Sequence, residues 1–342
     1  MPDDRVLLTG VSGFIGKHVA LALLGAGYRV RGTVRSAEKG RAAVAALAEA
    51  GGAVDRLEIV EAYLSADAGW DAAAEGCRFV LHTASPFPMR QPRDRRALVP
   101  VARGGALRVV RAALKAGAER LVLTSSVAAI TYGHERRAEP RFGETDWSDT
   151  ESRSISAYAV SKTEAERGAW ESVEGTGLQL VAINPSLVLG PLLGGEAGTS
   201  AKLIQMMMTG RMPVVPNVSF GIVDARDVAA AHVAALTASG ASGHRFILSG
   251  GVLTLIELAG IIAREYPEFA RRLPRYTLPD ALIRAAAMVV PPARALVGEL
   301  GRRKILVSEP AERILGLSFR SPRIAVTATA ESLLAAGLVR RP

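Results

Sequence analysis

Near its start the chain reads Arg5-Val6-Leu7-Leu8-Thr9-Gly10-Val11-Ser12-Gly13-Phe14-Ile15-Gly16, and an amphipathic segment continues to about Leu24. A strand, a glycine turn and a helix in this order direct the free N–H groups of the helix N-terminus at a pyrophosphate. In such a site Gly10 permits the tight turn, Gly13 lets the backbone approach the phosphates, and Gly16 allows close packing of helix on strand. We therefore predict a dinucleotide cofactor on this turn, with Ser12, Phe14 and Ile15 as further contacts. A purely structural glycine turn is the alternative.

The end of the next apolar run indicates which dinucleotide is bound. A site for NAD places a carboxylate there, about twenty residues after the glycines, to bind the ribose 2′-hydroxyl. This chain has Arg35 at that point, with Ser36 and Lys39 nearby. A guanidinium binds a 2′-phosphate through two hydrogen bonds, so the sequence predicts NADP(H). The alternative is a surface arginine that opens the following helix.

Apolar runs and helical patterns alternate along the rest of the chain, which predicts a parallel sheet with right-handed crossovers. The runs cover residues 57–60, 78–82, 120–124, 179–183 and 245–248, and the helical patterns include 94–116 and 154–172. We predict an α/β fold, with a Rossmann-like doubly wound parallel sheet and a smaller, mixed C-terminal substrate domain. The NADP-binding domain is assigned to residues 1–183 and about 220–250. The substrate-binding domain is assigned to about 184–219 and 251–342.

Ligands of doubly wound sheets bind at the carboxyl ends of the strands. Thr83, Ala84 and Ser85 follow one such run and Thr124 ends another, so these four residues are candidate cofactor contacts. The pattern also predicts that the strand 179–183 is interrupted at Asn184-Pro185-Ser186. Farther along, Asp224 is expected to cap a helix, and Thr254 is expected to form a capping box with Glu257.

Tyr158 and Lys162 stand four residues apart in the helical pattern and therefore share one helix face. A cation beside a phenol favours the phenolate, so we expect a lowered tyrosine pKa that suits proton transfer near neutral pH. The alternative is a solvated lysine beside a half-buried tyrosine.

Composition excludes several other classes of protein. The net charge is +9, and +7 of it lies between Arg264 and Pro342. The basic residues of that last quarter are scattered among apolar ones with few aromatics, which favours a solvated basic face over a nucleic-acid surface. A single cysteine, Cys77, excludes an internal disulfide framework and indicates a reducing compartment. The N-terminus has no signal-peptide pattern, and no apolar run is long enough to span a bilayer. A cytoplasmic protein without a metal site is expected.

Five motifs in sequence resemble the extended short-chain dehydrogenase/reductases, and more narrowly their dihydroflavonol reductase/aldehyde (carbonyl) reductase branch. The similarity runs from Val6 to about Leu248. The motifs are Thr9–Gly16, Thr83–Pro88, Thr124–Ser126, Tyr158 with Lys162, and Asn184-Pro185-Ser186.

The resemblance implies an NADPH-dependent carbonyl reductase that also works reversibly as an alcohol dehydrogenase. Tyr158 would be the general acid, and Lys162 would bind the nicotinamide ribose and hold down the tyrosine pKa. Ser126, rather than Ser125, would hydrogen-bond the substrate carbonyl. Pro185 and Val188 would line the nicotinamide side. The implied partner is a small-molecule carbonyl compound, and a homodimer is left open.

The chain departs from the family pattern in three places. Tyr63 stands where the family has an aspartate near the adenine, and Ile130-Thr131 lies where plant flavonoid reductases have an asparagine. Ile155-Ser156-Ala157 before the tyrosine is unlike the Asn-Trp-Tyr-Cys sequence of cinnamoyl-CoA reductases, which argues against that substrate. The expected pocket is apolar and suits a hydrophobic, aromatic or bulky aldehyde or ketone. Its expected walls are Phe87, Pro88, Met89, Leu193, Met208 and Phe220.

Two other functions remain open. A nucleotide-sugar epimerase or dehydratase would use the same sheet and tyrosine while recycling NAD in place; Arg35 and the apolar loop at Phe87 weigh against it. A non-catalytic dinucleotide sensor would regulate a partner. The complete set of Ser126, Tyr158 and Lys162 weighs against a sensor, because a sensor needs no proton donor.

Overall fold

The computed structural model describes residues 4–85, 92, 94–134, 140–152, 154–195, 197–288 and 296–342. The first elements are β1 (Arg5–Thr9), α1 (Phe14–Gly25), β2 (Arg29–Val34), α2 (Ala37–Glu49), β3 (Leu57–Glu61), α3 (Trp70–Ala74), β4 (Phe79–His82), α4 (Val99–Lys115), β5 (Arg120–Thr124), β6 (Arg141–Phe142) and α5 (Ala157–Val173). The next elements are β7 (Gln179–Pro185), β8 (Leu187–Leu189), α6 (Thr199–Met208), β9 (Val214–Pro216), β10 (Ser219–Asp224), α7 (Ala225–Thr237) and β11 (Arg245–Leu248). The last are β12 (Gly251–Thr254), α8 (Leu255–Glu265), β13 (Tyr276–Leu278), α9 (Asp280–Ala286), β14 (Ile305–Leu306), α10 (Glu309–Leu315) and α11 (Pro322–Ala335).

The central sheet has seven strands in the described part of the chain, in the order β3-β2-β1-β4-β5-β7-β11. Every neighbouring pair is parallel. The strand order reverses beside β1, between β1 and β4, so a crevice forms there at the carboxyl ends of the strands. The predicted α/β class with a doubly wound parallel sheet is confirmed.

Alternating residues of the central strands pack on opposite faces of the sheet, as the two-residue period of a strand requires. Val6 and Leu8 of β1 belong to one apolar cluster, which also contains residues of α1 and α7. Leu7 belongs to a second cluster, which contains residues of α3 and α4. Because both faces are covered, the strands are nearly continuous apolar runs, which is typical of buried parallel sheets.

A smaller sheet joins β8, β10 and β12, with β10 parallel to β8 and antiparallel to β12. It lies beside a separate apolar core that includes residues of α6, α8 and α11. The strand β10, which the expected division places almost wholly in the NADP-binding domain, thus pairs with two strands of the expected substrate-binding domain. The division into two domains stays a prediction.

Local details confirm some sequence predictions and correct others. The Asp224 carboxylate accepts from the Arg226 N–H, and Thr254 and Glu257 form the predicted capping box. The helix expected over 94–116 begins only at Val99. The strand expected to be interrupted at Asn184-Pro185-Ser186 continues through Pro185, which pairs with Leu248 of β11, and β8 begins at Leu187. Proline is tolerated because β5 already ends opposite Ile183, so no neighbour on that side needs its missing N–H.

Neither a membrane-spanning helix nor a cluster of metal-binding side chains occurs among the described residues. No helix within the described ranges combines the length and apolarity needed to cross a membrane. Among the residues that the structure describes, no group of three or more His, Cys, Asp and Glu side chains is placed to hold a metal ion.

Candidate active site

A cavity of about 470 Å³ lies at the carboxyl ends of the central strands and reaches the smaller sheet. It brings together segments from nearly the whole chain. The predicted site residues on its wall are Gly10, Gly13, Phe14, Ile15, Gly16, Thr83, Ser85, Thr124, Ser125, Ser126, Tyr158, Lys162, Val188 and Phe220.

The glycine turn has the geometry that a phosphate cradle needs. Gly10 has a φ of 72°, and a Cβ at this position would lie 2.9 Å from the Cα of Ala84. A Cβ at Gly16 would overlap the carbonyl oxygen of Gly10, whereas the Gly13 N–H donates to that oxygen at 2.9 Å. Larger side chains would therefore close the space between the turn and the β4 loop. The bare backbone at the start of α1 fits a dinucleotide pyrophosphate.

Hydrogen bonds around Thr9 tie the turn to the loop after β4. The Thr9 carbonyl accepts from the Thr83 hydroxyl at 2.6 Å, and the Thr9 hydroxyl accepts from the Ala84 N–H at 3.1 Å. The same hydroxyl lies 2.7 Å from Nδ1 of His82. Burial, with the nearby Lys162 ammonium, lowers the pKa of His82 to about 3, so its ring is neutral at physiological pH. His82 had no signal in the sequence beyond its place at the end of a strand.

Arg35 and Lys39 lie outside the cavity wall, on the exposed surface after β2. The segment that leads to Arg35 nevertheless lies beside the glycine turn, because Thr33 receives hydrogen bonds from the N–H groups of Gly10 and Val11 at 3.2 Å. Ser36 caps α2 by accepting from the Lys39 N–H. A helix N-terminus beside an arginine is a suitable place for a 2′-phosphate. The contact of Arg35 with that phosphate stays a prediction.

Tyr158, Lys162 and Ser126 meet on the cavity wall. The Lys162 ammonium, which is 7% exposed, donates to the Thr124 carbonyl at 2.8 Å. Ser126 accepts from the Ala128 N–H at 3.1 Å, and its side chain is hydrogen-bonded to that of Tyr158. Three groups suited to bind and protonate an oxygen thus lie at the end of β5 and the start of α5.

The expected lowering of the Tyr158 pKa is wrong in this structure. Burial raises the pKa of Tyr158, and the hydrogen bond from Ser126 only partly opposes that shift. Burial also lowers the pKa of Lys162 to about 8, although Glu166 opposes this shift. Desolvation, which the four-residue spacing could not reveal, is the largest cause of the Tyr158 shift. Tyr158 therefore keeps its proton at neutral pH.

Glu166 lies one helical turn beyond Lys162 and organises the rear of the site. Its fully buried carboxylate accepts from Ser125 at 2.5 Å, from Asn184 at 2.9 Å and from Arg245 at 2.6 Å. Because the Ser125 hydroxyl is engaged in this way, the geometry favours Ser126 as the serine that meets a substrate. Glu166 and Arg245 were not identified in the sequence, because 79 residues separate them along the chain.

The predicted substrate wall is only partly reproduced. Phe220 lines the cavity, whereas Met208 is fully buried in the core beside α8 and α11, where it fills apolar space. Leu193 does not line the cavity; its carbonyl accepts from the Lys17 ammonium and so holds α1. Phe87, Pro88 and Met89 lie outside the described residues.

Other expected contacts also lie off the cavity wall. Ser12, Ala84 and Pro185 do not line it, although their neighbours in the chain do. Tyr63 is 42% exposed and follows β3, where its carbonyl accepts from the Trp70 indole. The wall instead includes polar residues that the sequence did not suggest: Thr131, Tyr132, Glu299 and Lys304.

Comparison with known proteins identifies relatives over most of the chain. Residues 6–249 match the NAD dependent epimerase/dehydratase family. Cinnamoyl-CoA reductase CAD2 of Medicago truncatula is 37% identical over 266 residues, which cover 77% of this chain and 81% of the relative. Tetraketide alpha-pyrone reductase 2 of Arabidopsis thaliana is 37% identical over 271 residues, covering 78% and 84%. The structure of yeast methylglyoxal/isovaleraldehyde reductase Gre2 complexed with NADPH matches with a TM-score of 0.80 at 27% identity, over 98% of this chain and 100% of that one.

Proposed function

This chain belongs to the NAD dependent epimerase/dehydratase family, within the extended short-chain dehydrogenase/reductases, and we propose that it reduces a ketone or aldehyde to an alcohol with NADPH. The observation that carries the proposal is the contact of Tyr158 with Ser126, beside the buried Lys162, in the cavity that also contains the glycine turn. The relatives support a reductase, since each is named as one and the Gre2 structure contains NADPH. The proposed reaction is reversible, so the protein would also oxidise the product alcohol with NADP⁺, as an alcohol dehydrogenase does.

The cofactor would bind along the glycine turn, with its pyrophosphate at the start of α1 and its 2′-phosphate near Arg35. When bound, NADPH supplies the hydride that the carbonyl carbon accepts. Lys162 has three N–H donors, of which the Thr124 carbonyl takes one, so the ammonium is suited to bind ribose hydroxyls as well. Val188, which also lines the cavity, would contact the nicotinamide.

The chain's own residues manage the proton. Ser126 and Tyr158 would hydrogen-bond the carbonyl oxygen, and the Tyr158 hydroxyl would transfer its proton to that oxygen as negative charge develops. The raised Tyr158 pKa suits this direction, because the phenol is protonated at neutral pH. In the reverse direction the Tyr158 phenolate would take the proton of the alcohol.

The substrate we propose is hydrophobic over much of its surface, aromatic or bulky. Phe220, Leu187, Val252 and Leu306 form apolar parts of the wall. The names of two relatives, which refer to cinnamoyl-CoA and to tetraketide alpha-pyrones, support a bulky substrate. The absence of the Asn-Trp-Tyr-Cys sequence before Lys162 still argues against cinnamoyl-CoA itself.

The test is the loss of NADPH absorbance with a panel of aryl ketones, aldehydes and nucleotide sugars. We expect net NADPH oxidation with the ketones or aldehydes, and NADP⁺ reduction when the product alcohol is supplied. Turnover of nucleotide sugars alone would instead indicate the epimerase or dehydratase function. Tight NADPH binding without turnover of any compound would indicate a sensor.

A further inference from the structure

An ion pair forms part of the cavity wall, on the C-terminal segment before α10. The Lys304 ammonium lies 2.5 Å from the Glu299 carboxylate, and both residues line the cavity. Their side chains are only 12% and 16% exposed. Neither residue has a part in the cofactor site or the proton transfer described above.

Tyr132 connects the ion pair to Tyr158, the proposed proton donor, because it contacts Lys304 and packs in the same apolar cluster as Tyr158. The Lys304 ammonium is 4.0 Å from the centroid of the Tyr132 ring and 3.5 Å from the Thr131 hydroxyl. Tyr132 in turn packs with Tyr158 against the same apolar cluster of Ala128, Ile155, Ala159 and Val160. A ligand that places a carbonyl at Tyr158 could therefore extend past Tyr132 to reach the ion pair.

Contacts on both sides hold the segment that carries Lys304. The Ser219 hydroxyl of β10 donates to the Arg302 carbonyl at 2.7 Å, and the Arg302 guanidinium donates to the His134 carbonyl at 3.2 Å. Ile305 then pairs with Arg141 through the two-stranded sheet of β14 and β6. Lys304 is thus a positioned group on the wall rather than a solvated surface lysine.

A contribution to folding stability does not by itself explain the Lys304–Glu299 ion pair in this wall. Phe220, Val252 and Leu306 form apolar parts of the same wall, and apolar side chains in place of a desolvated ion pair are often at least as stabilising. The polar groups instead add a donor and an acceptor, side by side, to an otherwise apolar pocket. Such groups set which ligands are accepted.

We propose that Lys304 and Glu299 bind a hydroxyl group that the substrate carries at a distance from its carbonyl. The inference rests on the carbonyl reductase function proposed above. The pair is neutral overall, so a substrate carboxylate would meet Glu299 and a substrate ammonium would meet Lys304. A hydroxyl accepts from the ammonium and donates to the carboxylate, so it satisfies both groups. Lys304 and Glu299 are therefore specificity-determining residues, and the substrates are hydroxylated carbonyl compounds.

The test compares kcat/KM for methyl ketones with a terminal hydroxyl and for the same ketones with a terminal methyl group. A series in which the number of methylene groups between carbonyl and terminus increases one at a time finds the length that reaches the pair. At that length we expect the hydroxyl compound to be favoured about tenfold or more, as for a hydrogen bond to a charged group. The keto acids of matching length should be poorer than the hydroxy ketones.

The double variant Glu299→Leu/Lys304→Met should bring the hydroxyl-to-methyl ratio to about one. Removing both residues avoids leaving one charge unpaired. The control is Lys115→Met, which removes an exposed ion pair with Asp71 away from the cavity wall and should keep the wild-type ratio.

The outcomes separate this inference from the proposed function. No turnover of any ketone or aldehyde, in this series or in the panel described above, overturns the reductase function, and this inference with it. Turnover of the methyl compounds with a ratio of one at every length overturns the hydroxyl site alone. A preference for the keto acids would do the same, because it would make Lys304 an anion site. These wild-type results decide the matter even if the double variant does not fold.

Discussion

Replacing Glu166 with glutamine should destabilise the whole protein, because this carboxylate neutralises a buried arginine. Glu166 is fully buried, and the Arg245 side chain opposite it is 8% exposed. The change removes the charge and places N–H groups against the donors of Ser125, Asn184 and Arg245. Breaking one side of a buried ion pair costs about 3–5 kcal/mol in free energy of unfolding. We expect Glu166→Gln to lose about that amount.

The measurement is chemical denaturation followed by circular dichroism, with a matched control on the same helix. Glu171→Gln removes an ion pair to Arg103 whose side chains are 64% and 41% exposed, and it should cost about 0–1 kcal/mol. Because the cost in Glu166→Gln comes from the arginine left behind, the double variant Glu166→Leu/Arg245→Met should recover much of the loss. Equal costs for Glu166→Gln and Glu171→Gln would refute the reasoning, and so would a double variant as unstable as the sum of its single changes.

Two other predictions concern the cofactor and acid stability. Arg35→Asp should weaken NADPH binding far more than NADH binding, because the carboxylate repels a 2′-phosphate. The control variant Arg29→Asp, at the other end of β2, should affect the binding of the two cofactors equally. Equal losses of NADPH and NADH affinity for Arg35→Asp in calorimetric titration would show that Arg35 does not contact the phosphate. Burial lowers the pKa of His232 to about 4 and that of His82 to about 3, from 6.5. Between pH 6.5 and about 4 the unfolded chain binds more protons than the folded one, so stability falls as the pH falls. His82→Gln/His232→Gln should flatten this loss in denaturation curves taken across that window, and an unchanged slope would count against the neutral buried rings.

Local sequence signals predicted the central sheet and the glycine turn that follows its first strand. The glycine turn, the Asp224 cap and the Thr254 capping box each depend on residues within a few positions of one another, so spacing alone reveals them. The four-residue spacing of Tyr158 and Lys162 likewise placed both on one wall of the cavity.

Features that depend on tertiary contacts were missed or misjudged. The direction of the Tyr158 pKa shift depends on how deeply α5 is buried, which spacing does not show. Met208 was expected on the pocket wall because it is apolar, but core and pocket positions have the same residue preferences. The Lys304 ammonium meets Thr131, which is 173 residues earlier in the chain, so no local pattern could join them.

Comparing Tyr158→Phe with wild-type protein in NADPH oxidation tests the central claim most directly. A positioned general acid contributes about 10²–10⁴-fold to the rate, so turnover of a ketone substrate should fall at least about hundredfold. NADPH affinity should change little, because the phenyl ring still fills the same space. Tyr276→Phe, at a side chain that is 72% exposed, serves as the control and should keep wild-type turnover. Undiminished turnover in Tyr158→Phe would contradict the account.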